Sequence, residues 1–582
     1  MPTGAGKSMC YQLPALLLPG ITLVVSPLIS LMKDQVNALT QAGIPAAYLN
    51  SSLSDEQYRE AFRRARSGKY KIIYVAPERM ETESFIRFAE DTRISLVAVD
   101  EAHCVSQWGQ DFRPSYLKIV KLIEHLSYRP IIGAFTATAT TEVKIDIIRI
   151  LKLNDPLSVT TGFDRANLYF EVSKPKNKAQ YLRKYISMRP NSSGIVFCAT
   201  RAAVERVCED LKNCGLSATR YHAGLEDGER QQNQEDFIYD RYRVMVATNA
   251  FGMGIDKSNV SFVIHFNMPK NLESYYQEAG RAGRDGTPAD CILLYSGADV
   301  QTAKFLIQNS EENTDLSEEA RELVFRRDME RLNKMIAYCK TNVCLRTYIL
   351  EYFGETRLGS CSNCSNCNSE YINVDITTEA QKILSCVARV DKTRSYGLGA
   401  SLYEHVLRGS KAQKISQLGL DKLPTYGIMS NVAEQKILDY IDFLITTGYL
   451  QSSTDDHPVL HLTEKSSEVL FQNEQVIMAE KKPAAAITTG TKQTAKSSFK
   501  TKPGLDLSDM DSDLLSALKA LRTKLARDAG VPSYIVFSNT TLDDMAEKRP
   551  KTIEELLEVS GVGEVKAERY GKKFLQAISE FL

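Results

Sequence analysis

Along the first half of the chain, short runs of β-branched and apolar residues alternate with longer stretches of helical periodicity. The runs include Ile21–Ser26, Lys71–Ala76, Leu96–Asp100, Ile131–Thr136, Gly194–Cys198, Arg243–Ala247 and Phe262–Phe266. Continuous apolar runs between amphipathic segments mark parallel strands buried on both faces and joined by crossover helices. One set of runs ends near Leu157 and another begins near Thr160, which predicts two α/β lobes over residues 1–157 and 158–308. Charged helical periodicity from Glu311 to Phe353 then leads into a cysteine-rich segment, a unit over 309–372. From Thr377 to Phe471 helical spacing dominates and closes on two short runs, Tyr449–Ser452 and Val459–Leu462, around Asp455-Asp456-His457-Pro458. Helices followed by strand-turn-strand predict a winged helix over 373–475. Residues 476–507 are rich in Ala, Thr, Lys and Ser and poor in large apolar groups, which predicts a flexible basic linker. Helical periodicity returns over 508–582 and predicts a small all-α domain.

Composition narrows the possible classes. With 582 residues, 43% hydrophobic and 25% charged, the chain has the balance of a multidomain globular protein. Its formal net charge is zero, so any nucleic-acid surface is a local patch rather than a global field. No apolar run approaches the roughly 20 residues of a membrane span. Leu13 to Leu18 is short and contains Pro14. A charged leader followed by a long apolar core is also missing, so the pattern predicts a cytoplasmic protein with no membrane partner. Reduced thiols are then expected for the 12 cysteines, and isolated ones such as Cys10, Cys198 and Cys291 read as core packing.

Thr3-Gly4-Ala5-Gly6-Lys7-Ser8 reads as a P-loop, a Gly-rich turn whose N–H groups cradle nucleotide phosphates. In such a loop Lys7 reaches the β- and γ-phosphates and the Ser8 hydroxyl holds Mg²⁺. Asp100-Glu101-Ala102-His103 follows the apolar run Leu96–Val99 and matches a Walker B site. Asp100 then orients Mg²⁺ and Glu101 positions or deprotonates the attacking water. Adjacent residues on a strand face opposite ways, so the two carboxylates must lie at its end, where the chain curls. In the second lobe, Arg281 and Arg284 lie three apart and would share one face of a helix. Guanidinium groups presented from there can stabilise the charge on a transferring γ-phosphoryl group, with Arg284 as arginine finger and Arg281 assisting.

Together these motifs resemble superfamily 2 helicases, and the resemblance continues in order. Ser26-Pro27-Leu28-Ile29-Ser30-Leu31-Met32-Lys33-Asp34-Gln35 looks like motif Ia, which touches single-stranded DNA phosphates. Thr136-Ala137-Thr138-Ala139 looks like motif III, and Ile195-Val196-Phe197-Cys198 with Thr200-Arg201 like motif IV. Ala247 to Asp256, including Gly254, looks like motif V, and Tyr276 to Gly286, including Gln277, like motif VI. Ser106 to Tyr116 carries Trp108, Phe112 and Arg113 in a polar stretch. Exposed aromatics there can stack bases at ~1–3 kcal/mol each. The stretch resembles the aromatic-rich loop of RecQ-family DNA helicases, in which it senses single-stranded DNA and couples it to ATP hydrolysis.

Cys344, Cys361, Cys364 and Cys367 supply four soft donors, suited to tetrahedral Zn²⁺, with an iron–sulfur cluster as the rival occupant. The segment from Cys344 to Glu355 resembles the RecQ zinc-binding subdomain, which favours structural zinc. Arg408-Gly409-Ser410 and Leu423 to Met429 resemble the RecQ winged helix, where Arg408, Lys411 and Lys414 are candidate phosphate contacts. Pro532 to Phe537, Leu542–Met545 and Ser560 to Lys566 resemble the HRDC domain. The Gly561-Val562-Gly563 turn reads either as a phosphate site or as a tight helix–helix turn.

The resemblance thus implies two RecA-like lobes, a zinc-binding helical subdomain, a winged helix and an all-α HRDC domain. It implies an ATP-, Mg²⁺- and Zn²⁺-dependent 3′→5′ DNA helicase acting on forked and recombination-intermediate DNA in repair and recombination. The implied partners are single-stranded and forked double-stranded DNA and a single-stranded-DNA-binding protein, with the chain a monomer, nucleoid-associated if bacterial. Family members carry a strand and an adenine-reading element before the P-loop, and the first lobe is expected to be incomplete on that side. The alternative is therefore a DNA-binding protein with weak or no ATPase activity, and a second alternative is an RNA helicase of the same superfamily.

Overall fold

A computed structural model describes every residue except 3, 28, 51–52, 110, 252–256, 310–317, 358, 370, 394–396, 454–458, 473, 482–508 and 582. The described chain forms two compact units. One comprises Met1–Cys339, Val343–Asn366 and Lys496–Leu582, and the other Lys340–Asn342 and Cys367–Ala495.

The larger unit holds two parallel sheets. In the first lobe, strands β1 (Ile21–Val25), β2 (Ala46–Leu49), β3 (Ile72–Val75), β4 (Ile94–Val99) and β5 (Ile131–Ala134) lie in the order β2-β3-β1-β4-β5. Every residue of β1 and β3 is buried, as continuous apolar runs require in a sheet covered on both faces. Two apolar clusters fill the faces. One is built on Leu23, Ile73, Val97 and the phenylalanines Phe62, Phe85 and Phe88, the other on Tyr11, Val24, Tyr74 and Ala98. Strand β5 pairs with β4 alone among the described residues, and Ile131 is 59% exposed.

The second lobe is a six-stranded sheet of β6 (Leu168–Ser173), β7 (Ser193–Phe197), β8 (Ala218–Tyr221), β9 (Val244–Ala247), β10 (Val260–His265) and β11 (Ala289–Leu294), ordered β6-β11-β10-β7-β9-β8. A helix over Leu272–Ala279 follows β10, a long helix runs over Glu318–Lys340, and a shorter one, Leu345–Tyr352, starts right after Cys344. The same unit contains the helices from Asp509–Ala529 to Lys572–Ser579, packed around Leu518, Phe537, Leu542 and Phe574.

In the smaller unit, helices Thr377–Thr393, Ala400–Arg408 and Glu434–Thr446 enclose a core of Ile383, Val387, Leu407 and Ile441. Strand β12 (Tyr371–Asp375) precedes them; β13 (Leu450–Ser452) and β14 (Leu460–Leu462) form the antiparallel wing, and β15 (Ile477–Lys481) pairs antiparallel with β12. Residues 477–481 are therefore strand, although the pattern assigned them to the linker. Their ladder with β12 supplies an order that composition does not reveal. The turn carrying His457 lies outside the described residues.

Cys198 and Cys291 are buried, but Cys10 is exposed, which corrects its reading as core. It sits on helix Lys7–Leu17, whose core-facing residues are Tyr11 and Ala15. No described helix is long and apolar enough to cross a membrane.

Phe88 is fully buried and stacks on Phe62 with ring centroids 4.8 Å apart. Phe88→Ala is predicted to destabilise the first lobe by about 3–5 kcal/mol, read as an earlier urea transition. A loss under about 1 kcal/mol would contradict this packing.

Candidate active site

The P-loop opens the helix Lys7–Leu17. Gly4 and Gly6 take φ of 84° and 81°, so the turn uses the left-handed region that glycine enters without a Cβ clash. Thr3 lies outside the described residues; Gly4, Ala5 and Gly6 form the turn, and Lys7 and Ser8 begin the helix. The helix has no side-chain N-cap bond and no acidic residue in its first turn, which leaves N–H groups and the positive dipole end for an anion.

Asp100 and Glu101 follow β4 directly, as the strand-end argument requires. Glu101 adopts φ 45°, and this left-handed turn carries its side chain towards Lys7, whose Nζ lies 3.5 Å from Oε1. Burial beside Glu101 pushes the Asp100 carboxyl up to about 6, against the pull of Lys7. Burial also opposes ionisation of Glu101, but Lys7, His103 and Arg281 outweigh it and hold that carboxyl below its ordinary value. His103 is fully buried, which lowers its pKa; Nδ1 lies 2.9 Å from Thr136 Oγ1 and 3.4 Å from Glu101 Oε2. Walker B is thereby joined to motif III.

The second lobe contributes the arginines, but not from a helix face. Helix Leu272–Ala279 ends at Gly280, and Arg281 and Arg284 stand on the turn beyond it, which corrects the helical placement. Gly283 turns the chain with φ 56°, and a Cβ there would sit 2.4 Å from Asn167 Nδ2. Arg165 and Asn167 hold this turn. Arg165 Nη2 donates to the carbonyls of Ala282 (3.1 Å) and Gly283 (2.7 Å), and Asn167 Nδ2 to those of Gly283 (2.9 Å) and Thr287 (2.8 Å). The turn in turn lays Arg284 against the P-loop: a Cβ built on Gly4 would lie 3.1 Å from Arg284 Cγ and 3.7 Å from Arg165 Nη1. Arg281 and Gln277 are buried nearby on the same segment. Gly254 and Asp256 of motif V lie outside the described residues.

Sequence reasoning missed Arg165 and Asn167. They sit in the connection between lobes, outside every motif, and their role exists only through carbonyls more than a hundred residues away. Arg346 anchors that connection from the other side, donating to Asp164 Oδ1 at 2.5 Å and to the Arg165 carbonyl at 2.6 Å.

Trp108 is 43% exposed, and Phe112 is half-buried on the same loop. Ser106 Oγ shapes the loop by accepting from the Trp108 N–H at 3.0 Å and donating to buried Asp146 at 2.7 Å. Arg113 pairs with Asp111 at 3.1 Å and donates to the Pro27 carbonyl at 3.3 Å, tying the aromatic loop to motif Ia. Lys33 is half-buried, whereas Ser26 is fully buried at the end of β1, so its hydroxyl faces the interior and not a passing strand.

The thiols of Cys344, Cys361, Cys364 and Cys367 all lie within 4.8 Å of one another. Backbone N–H groups already point at two of them, Thr347 at Cys344 Sγ (3.5 Å) and Asn363 at Cys361 Sγ (3.3 Å). An all-sulfur quartet of this kind fits a closed structural zinc site. At Gly561 a Cβ would meet Thr541 Oγ1 at 2.5 Å, which favours the tight-turn reading of that glycine.

The chain matches the DEAD/DEAH box helicase family over residues 1–145 and the helicase conserved C-terminal domain over 177–286. It matches RecQ zinc-binding over 297–368, the RQC domain over 370–486 and the HRDC domain over 511–578. It is 43% identical to the ATP-dependent DNA helicase RecQ of Bacillus subtilis across 100% of this chain and 93% of that protein. The chain belongs to the RecQ family of helicases. The Haemophilus influenzae RecQ is 38% identical over 100% of this chain and 90% of its own length. The RecQ-like DNA helicase BLM of Xenopus laevis is 33% identical over 100% of this chain and 44% of its own length. Within this RecQ-family chain the cysteine quartet is a zinc site, and ATP and Mg²⁺ are the expected ligands of the P-loop and Walker B residues.

Cys364→Ser, at the fully buried thiol, is predicted to lower bound zinc from about one ion per chain to near none, measured by elemental analysis of the purified protein. Full zinc retention would remove Cys364 from the ligand set.

Proposed function

We propose that this chain is an ATP-dependent DNA helicase that moves 3′→5′ on single-stranded DNA and opens forked or recombination-intermediate duplexes during repair and recombination. The observation that carries the reading is the convergence of Lys7, Asp100 and Glu101 from one lobe with Arg284, laid against Gly4, from the other. A cleft whose charges come from both sides makes hydrolysis depend on closure, and closure is what moves a strand.

The roles follow from chemistry. The turn at Gly4, Ala5 and Gly6, with Thr3, cradles phosphates, and Lys7 neutralises the β- and γ-oxygens. Ser8 and Asp100 hold Mg²⁺, which supplies charge neutralisation at the phosphates when bound. Glu101, kept anionic by Lys7 and Arg281, orients the attacking water and accepts its proton. Arg284 stabilises charge on the transferring phosphoryl oxygens, with Arg281 assisting and Gln277 completing the set. Gly254 and Asp256 of motif V are assigned to the nucleotide side. Trp108 and Phe112 offer ring faces to bases, with Arg113 and Lys33 beside them for phosphates; Ser26 acts through the backbone of motif Ia.

The assembled Lys7–Glu101 contact supports hydrolysis by this chain over DNA binding without it. Direction, the monomeric state, a single-stranded-DNA-binding protein as partner, and a cytoplasmic, nucleoid-associated location follow from the family resemblance.

Two measurements test the reading. Arg284→Ala is predicted to lower kcat of DNA-stimulated ATP hydrolysis by about 10³-fold or more with KM for ATP little changed; an unchanged kcat would remove it from the site. The wild-type chain should unwind 3′-tailed DNA duplexes and leave 5′-tailed DNA and RNA duplexes intact. Equal unwinding of both tails, or a preference for RNA, would overturn the assignment.

A further inference from the structure

The aromatic loop does not stand free. Two arginines of the long helix Glu318–Lys340 grip it. The guanidinium carbon of Arg327 lies 3.3 Å from the centroid of the Trp108 ring, and Arg327 Nη1 donates to the Gln107 carbonyl at 3.4 Å. Arg331 donates to the Trp108 carbonyl, lies 3.0 Å from Asp328 and reaches Glu273 at 3.7 Å. Glu273 is in the first turn of helix Leu272–Ala279, which carries Gln277 and leads into Arg281. The grip therefore links the loop after Walker B to the segment that supplies the arginines.

We propose that Arg327 is a positioning residue that latches the aromatic loop in the DNA-free state by occupying the ring face of Trp108 that a base must take. The inference rests on the reading of this loop as the DNA sensor. A guanidinium plane and a nucleobase use the same π-surface, so they compete for it. Arg327 is suited to let go. Among the described residues no carboxylate lies within 4.0 Å of its guanidinium, its Nε is buried without a hydrogen-bond partner, and the like charge of Arg331 acts on it more strongly than either of the more distant carboxylates, Asp146 and Glu330. An incoming strand supplies both what displaces the cation, a base, and what satisfies it, a phosphate. The stronger tether is Arg331, which keeps the loop backbone attached while the ring changes partner.

Trp108 is the single tryptophan of the chain, so tryptophan emission reports on the surroundings of this ring alone. The experiment titrates full-length wild type and Arg327→Ala, Arg327→Gln and Arg327→Lys with a single-stranded oligonucleotide. It follows ATP turnover together with acrylamide quenching of tryptophan emission. Arg327→Gln keeps a donor for the Gln107 carbonyl and guards against misfolding; bound zinc checks each variant. In Arg327→Ala and Arg327→Gln, quenching without DNA should rise, and the DNA concentration for half-maximal ATPase should fall about fivefold, the worth of one exposed cation–π contact. Turnover at saturating DNA should stay at the wild-type value, and Arg327→Lys should fall between. Unchanged quenching, an unchanged half-saturating concentration, or an increase in it would overturn the latch; the increase would make Arg327 a plain DNA contact. If wild-type ATPase does not respond to DNA at all, the sensor reading itself fails, a result distinct from failure of the latch.

Discussion

Two adjacent carboxylates buried at the end of one strand cannot both stay ionised without cations, and the nucleotide site is organised around that constraint. Asp100 and Glu101 share the end of β4, where burial opposes the charge of each. Lys7 reaches them from the P-loop of the same lobe, while Arg281 acts on Glu101 from the other. Lys7 and His103 of the first lobe and Arg281 of the second all favour the ionised form of Glu101.

The second lobe meets this requirement through backbone rather than helix geometry. The helix ends at Gly280 and Gly283 turns the chain between Arg281 and Arg284, and the resulting turn exposes carbonyls that need donors. Arg165 and Asn167 supply them, and Arg346 fixes the carbonyl of Arg165 in turn. Arg346 lies two residues after Cys344, and both it and Asn363, between Cys361 and Cys364, donate to the Leu168 carbonyl, so the segments that carry the cysteines share hydrogen-bond partners with the connection that holds the arginine turn.

Much of this was legible beforehand, and for physical reasons. Parallel strands buried on both faces are read as unbroken apolar runs, which is why β1, β3, β4 and β10 lie where the runs stand. The curl after Val99 followed from the alternation of side chains along a strand, and Glu101 makes it with a left-handed backbone. Where local rules compete with distant partners, the reading failed. Spacing alone put Arg281 and Arg284 on a helix, whereas glycines and the Arg165 network make a turn. Residues 477–481 have the composition of the adjoining linker and become a strand only by pairing with β12. Ser26, a candidate DNA contact of motif Ia, has its hydroxyl buried at the end of β1, which its polarity in sequence does not reveal.

By itself, then, the sequence determined the chemistry: a P-loop, paired carboxylates, motif VI arginines, an aromatic loop and a cysteine quartet, each needing certain residue types at certain spacings. Tertiary structure alone decided how these parts meet. It set Arg284 on Gly4, brought Arg165 to the carbonyls of the turn after Gly280, buried Ser26 and laid Arg327 on the Trp108 ring. Spacing encodes contacts within a strand or a helical turn, but a contact between residues two hundred positions apart is created only when the intervening chain has folded.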